Sequence, residues 1–155
     1  MPSPNGYSVR TLHDFVGHDF GTSPPVLVDQ ASIDSFADVT GDHQWIHVDV
    51  EKAKKLSPFG GPVAHGFLTL ALLATAIQVS GAVPADAKGV INYGVDKIRF
   101  MVPVPAGARV TASFKLAEVE DKGPKGQLLR IAAVLNVEGQ DKPAIAGDVL
   151  ALVVG

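Results

Sequence analysis

A chain of 155 residues with no cysteine, a formal charge of −3 and a pI near 5.9 is long enough to bury one substantial core. Its composition excludes disulfides, thiolate metal sites and a cysteine nucleophile. With no basic run beyond Lys54-Lys55, it lacks the electrostatic footprint of a nucleic-acid or anionic-membrane binder. The opening residues, MPSPNGYSVR, contain no apolar signal-peptide core. The longest apolar run, Gly66 to Leu73, is interrupted by Thr69 and falls short of the ~20 residues that cross a bilayer. A single cytoplasmic domain over residues 1–155 is expected.

Residues 1–8, with Pro2, Pro4 and Gly6, are expected to fray. Val9 to Val16 has room for one or two helical turns, and Pro24 to Val28 reads as an edge strand because its prolines cannot donate to a ladder. Asp29 has the character of an N-cap for a helix with Ile33, Phe36 and Ala37 on one face, ended by Gly41. Asp42 follows that end at once. Asp42 and His47 are five apart, not a same-face helical spacing, so both are expected on a loop. Asp49 then caps a short helix running to Leu56, and Pro58 to Pro62 forms a turn-rich connector. From Gly66 to about Val79 nearly every position is apolar, with Gly81 as terminator. This predicts a central helix of roughly 20 Å that must be buried on all sides.

Beyond Gly89 the apolar period becomes two and stays so to the end, which predicts an antiparallel sheet. Ile91, Tyr93 and Val95 have one parity and Ile98 and Phe100 the other, so a bulge is expected near Asp96-Lys97. Val110, Ala112, Phe114 and Leu116 alternate cleanly with Thr111, Ser113 and Lys115. Turns at Lys122 to Gly126 and Gly139 to Pro143 separate two further strands, the last of them apolar on both faces and therefore interior or covered. Such an α+β chain either curls its sheet around the helix, the hot-dog arrangement, or lays the helix flat on the sheet.

Three stretches, FADVTGDHQWIH (Phe36 to His47), PFGGPVAHGFLTLALL (Pro58 to Leu73) and INYGVDKIRFMVPVPAG (Ile91 to Gly107), resemble the MaoC-like, (R)-specific enoyl-CoA hydratases, also called hydratase 2. The resemblance implies a hot-dog fold, a homodimer or higher assembly, and reversible addition of water to trans-2-enoyl thioesters giving (3R)-hydroxyacyl products. It implies no metal and no other cofactor, and an acyl-CoA or acyl-carrier-protein thioester as substrate. The family motif is Asp-x-Asn-x-x-His. Asp42 and His47 match its ends, Gln44 stands where Asn is usual, and Trp45 replaces a frequent proline.

The chemistry suits these residue types. Hydration moves one proton off water and one onto the α-carbon while charge builds on the thioester oxygen. A carboxylate and an imidazole sharing a water supply acid and base, each transfer typically contributing about 10²–10⁴-fold. The free N–H groups and positive end of a helix starting at Gly66 suit an oxyanion. The family assigns the water to its Asp and His and the carbonyl to its glycine N–H, here Asp42, His47 and Gly66. Gln44 and His65 are candidate substrate contacts, and Lys97 and Arg99 candidate partners of CoA phosphates. Trp45, Phe67 and Tyr93 read first as core aromatics. A thioester hydrolase on the same fold usually carries a carboxylate on the central helix, where this chain has Thr69, Thr75 and Gln78. A non-catalytic acyl-binding domain has no need of Asp42 and His47 together.

Overall fold

The computed structural model describes residues 2–155. A 3-10 turn at Leu12–Phe15 leads into β1 (Asp19–Thr22) and β2 (Val26–Val28). Four helices follow: α1 (Gln30–Thr40), α2 (Trp45–Val48), α3 (Val50–Leu56) and α4 (Gly66–Ser80). Then come β3 (Gly89–Phe100), β4 (Ala108–Asp121), β5 (Gln127–Val137) and β6 (Ile145–Val154). The sheet is antiparallel in the order β1-β4-β5-β6-β3, with β2 also on β4. It takes the hot-dog arrangement, with α4 against its inner face. Among the described residues no helix is long and apolar enough to cross a membrane.

Local rules placed most elements. Asp29 caps α1 by accepting from the Ser32 N–H, and Gly41 ends it in the left-handed conformation at φ 79°. Asp49 caps α3 through the Lys52 N–H, and Gly81 ends α4 at φ 83°. On β4, Val110, Ala112, Phe114 and Leu116 all point into the core. They join Leu129, Ile131, Ala133 and Leu135 of β5 and Leu73, Ala76 and Ile77 of α4. β6 is interior, between β5 and β3.

Three expectations need correction. Residues 2–8 do not fray: Tyr7 is buried, and its hydroxyl donates to the Ala82 carbonyl at 2.8 Å. Burial pushes that hydroxyl's pKa up. The Ser3 hydroxyl donates to Val83 at 3.2 Å. β1, too short to show a period, was not expected as a strand. Most importantly, one chain does not sheathe α4. Thr69, Leu73, Ala76, Ile77 and Ser80 are buried, whereas Phe67 is 70% exposed and Ala71, Thr75 and Gln78 also face outward. β3 is open in the same way. Among the described residues it pairs only with β6, and it leaves Ile91, Tyr93, Val95 and Phe100 exposed.

The expected bulge is present, as a register shift between Asp96 and Arg99 opposite β6, with Lys97 at φ 52°. Gly147 lies beneath it. A Cβ there would sit 2.8 Å from the Ile98 Cα and 2.9 Å from the Lys97 carbonyl oxygen, so only glycine admits the bulge this close. Asp96 and Asp148 are direct cross-strand partners, a like-charge pairing that costs stability. Arg130 offsets it by donating to Asp96 at 2.8 Å and Asp148 at 3.0 Å, with Glu118 at 3.4 Å. The hydrogen bond from Arg130 holds the Asp96 carboxyl below the usual carboxylate range. A carboxylate with a lowered folded pKa contributes stability above its unfolded value, and that contribution is lost as pH falls through the folded one. Arg130→Met is therefore expected to melt a few degrees below the wild type at neutral pH. The gap should close as pH drops below about 4, and parallel melting curves across that range check it.

Candidate active site

Because α1 stops at Gly41, Asp42 enters an irregular loop. Its N–H lies 3.3 Å from the Thr40 hydroxyl, and its Oδ1 accepts from the Gln44 N–H at 3.3 Å, folding the carboxylate toward the start of α2. The four-residue helix α2 turns His47 inward, where it is buried. His47 thus belongs to a helical turn, in place of the loop its spacing from Asp42 suggested. The turn is too short for periodicity to reveal.

The segment before α4 is strapped on two sides. Val63 donates to Ile46 at 3.1 Å, Ala64 donates to Val104 at 2.8 Å and Ala106 donates to Pro62 at 2.9 Å. The strap aims the Val63 carbonyl at His47, whose Nδ1–H donates to it at 2.6 Å. A carbonyl only accepts, so the proton sits on Nδ1 and Nε2 keeps its lone pair. From α1, the Gln30 amide donates to the His47 carbonyl at 2.7 Å and to Asp34 at 2.8 Å.

His65, the N-cap of α4, is buried. Its Nε2–H donates to the Asp42 carbonyl at 2.9 Å, and its ring stacks on His47 at 3.9 Å between centroids and 26° between planes. A carboxylate oxygen of Asp42 and a ring nitrogen from each histidine lie within 4.8 Å of one another. One water spans such a gap with two ordinary hydrogen bonds. A carboxylate and two imidazoles, each imidazole with one nitrogen held on a backbone carbonyl, are also the donor types of a divalent metal site.

The first intrahelical donor of α4 is the Thr69 N–H, to the His65 carbonyl, so helix geometry leaves the Gly66, Phe67 and Leu68 N–H groups without intrahelical partners. The Phe100 ring lies 3.1 Å from where a Cβ on Gly66 would stand. A side chain at position 66 would press on the Phe100 ring, so glycine lets the end of β3 pack closely on the helix start. Beside it is a cavity of about 310 Å³ walled by Phe59, Ala64, Thr69, Phe100 and Val104.

The other candidates lie further out. Gln44 is exposed at the N-cap of α2, and Lys52 caps the Trp45 ring at 5.0 Å. His43 is exposed, and its hydrogen bond to Asp38 at 2.9 Å raises its pKa. Lys97 is exposed at the bulge, and the Arg99 guanidinium donates to the neighbouring Ile98 carbonyl. Among the described residues neither is ion-paired with the Asp42 cluster. Phe67 and Tyr93 are not core residues. Tyr93, 56% exposed, lines a cleft of about 290 Å³ with Leu70, Ala74 and Val95. Gln30, the Val63 carbonyl and Phe100 carry no local sequence signal, because each acts on a residue distant in the chain.

Residues 12–134 match the family of the MaoC like domain. The chain is 44% identical over 141 residues to 3-hydroxyacyl-thioester dehydratase Z of Mycobacterium tuberculosis, covering 91% of this chain and 92% of that one. It is 40% identical over 148 residues to nodulation protein N of Rhizobium leguminosarum bv. viciae, covering 94% and 91%. Among solved structures it is similar to the unliganded R-hydratase PhaJ1 from Pseudomonas aeruginosa, with a TM-score of 0.71 at 26% identity over 90% of this chain and 81% of that one. It also shares the fold of the (R)-hydratase from A. caviae, with a TM-score of 0.71 at 23% identity over 88% and 95%. With a family match over most of its length and near-full-length relatives at these identities, the chain belongs to the MaoC-like dehydratase family.

Proposed function

We propose that the protein is an (R)-specific hydratase/dehydratase that reversibly adds water to trans-2-enoyl thioesters carried on CoA or acyl-carrier protein. The observation that carries this is the meeting of the Asp42 carboxylate and the His47 imidazole within 4.8 Å, next to the residue that opens α4. The similarity to 3-hydroxyacyl-thioester dehydratase Z and to the R-hydratase PhaJ1 supports it. In this reading one water bridges Asp42 and the Nε2 of His47. Its oxygen bonds to the β-carbon as the carbon–carbon double bond breaks. The electron pair moves toward the thioester oxygen, where the Gly66 N–H stabilises it. The proton leaving water passes to the pair, and the pair returns one to the α-carbon, so both groups end as they began.

The acyl handle lies across exposed β3, where Lys97 and Arg99 offer charge to its phosphates, and Gln44 contacts substrate from the α2 side. A second copy covers β3 and the open face of α4, since a long apolar edge strand is a template for pairing. Hydrolysis of the thioester is disfavoured because α4 carries no carboxylate.

The purified protein is expected to consume a short trans-2-enoyl-CoA, seen as loss of the conjugated absorbance, with no metal added and no thiol released. Chiral analysis of the product is expected to give the (3R) alcohol. Release of free thiol with the enoyl absorbance intact overturns the reading in favour of hydrolysis.

A further inference from the structure

We infer that His65 is a positioning residue: it fixes Asp42, His47 and the start of α4 relative to one another without touching the reacting atoms. This rests on the catalytic reading of Asp42 and His47 above. The argument begins with what His65 has left to offer. Its Nε2–H is committed to the Asp42 carbonyl. One ring face lies on His47, and Phe36 packs against the ring at 5.0 Å and 54°. Its Nδ1 is buried and has no hydrogen-bond partner. A carbonyl accepts only, so the bond to Asp42 fixes the Nε2–H tautomer and leaves Nδ1 an acceptor unable to donate to substrate. No polar edge of the ring reaches the space between Asp42 and His47 as a proton donor.

Each catalytic part nevertheless depends on it. Within loop 41–44 the local ties to Asp42 are long, 3.3 Å from its N–H to Thr40 and 3.3 Å from Gln44 to its Oδ1. The 2.9 Å bond from His65 spans 23 residues and is, among the described residues, the tie that fastens this exposed loop to a distant part of the chain. The stacked face sets the plane of the His47 ring. The peptide after His65 carries the Gly66 N–H. One buried side chain therefore triangulates all three, where a displacement of ~1 Å is worth about 10²-fold in rate.

The wild-type protein gives the first test. Imidazole ¹H–¹⁵N spectra are expected to show His65 protonated at Nε2 with a slowly exchanging proton, and an Nδ1–H tautomer overturns the inference. In variants, His65→Phe keeps the stack and removes the donor, whereas His65→Gln keeps a donor of similar reach. His65→Phe is expected to lower kcat by about 10²-fold with KM within a factor of about three and an unchanged circular dichroism spectrum. His65→Gln is expected to recover at least tenfold of that loss. A His65→Phe enzyme with wild-type kcat, or a His65→Gln enzyme no better than His65→Phe, overturns it. Placing His65→Phe on Asp42→Asn separates the two levels. Little further loss is expected if His65 acts through Asp42, and full additivity overturns that route. An Asp42→Asn enzyme of wild-type activity sinks the catalytic reading itself, whereas an inactive one together with an Nδ1–H tautomer sinks only the role of His65.

Discussion

Asp42→Asn is expected to reduce kcat by about 10²–10⁴-fold while the protein folds and melts as before. The exposed side chain of Asp42 packs against nothing in the core, and the carbonyl oxygen of asparagine still accepts from the Gln44 N–H. What disappears is the capacity to hold a negative charge and a proton beside the bridging water. His47→Asn is expected to have an effect of similar size. The asparagine amide reaches the position of Nδ1 and retains the donor to Val63, so the strap around residues 62–64 survives, but nothing replaces Nε2. Stopped assays at saturating substrate, with circular dichroism as the control for folding, measure both. Retention of the rate within tenfold in both variants removes these residues from the chemistry. Because the pair works on one water, the double variant should be little worse than either single one.

Phe114→Ala is expected to destabilise the fold by about 3–5 kcal/mol, a large share of the ~5–15 kcal/mol available to a domain of this kind. Phe114 is 1% exposed on β4, and its cross-strand partner is Ala133 on β5. Ala112, two residues back on the same face, is also small. Neither neighbour has atoms to move into the vacated space, so the void persists and the cost falls in the upper part of that range. Urea unfolding gives the answer as a shift in midpoint at constant slope. A loss below about 1 kcal/mol would mean that the sheet closes over the gap.

The sequence was most legible where structure is local. Asp29, Gly41, Asp49 and Gly81 each act on a backbone group within a few residues, so their roles as caps follow from identity and position. The alternation along β4 was legible because that strand's two faces meet different surroundings. Legibility failed where a residue's role depends on a distant partner. Tyr7 looked like part of a loose end because Ala82, to which it donates, is 75 residues away. The even apolarity of α4 marked it as central, but it carries no signal of which flank the chain leaves open, here the side of Phe67, Ala71, Thr75 and Gln78. For the site, the spacing of Asp42 and His47 argued against a shared helical face, and only the family motif joined them. The elements doing the joining, the Val63 carbonyl, Gln30 and the His65 stack, arise from how residues 62–65 are clasped against α2 and residues 104–106, which no window of sequence displays.

If a second copy covers the open flank of β3 and α4 as proposed, folding is tied to dilution. A protomer standing alone keeps Ile91, Tyr93 and Val95 wetted, forgoing ~25 cal/mol for every square ångström left unburied. Under that proposal association enters the folding equilibrium by mass action, and a preparation thinned far enough is expected to lose folded chains and turnover together.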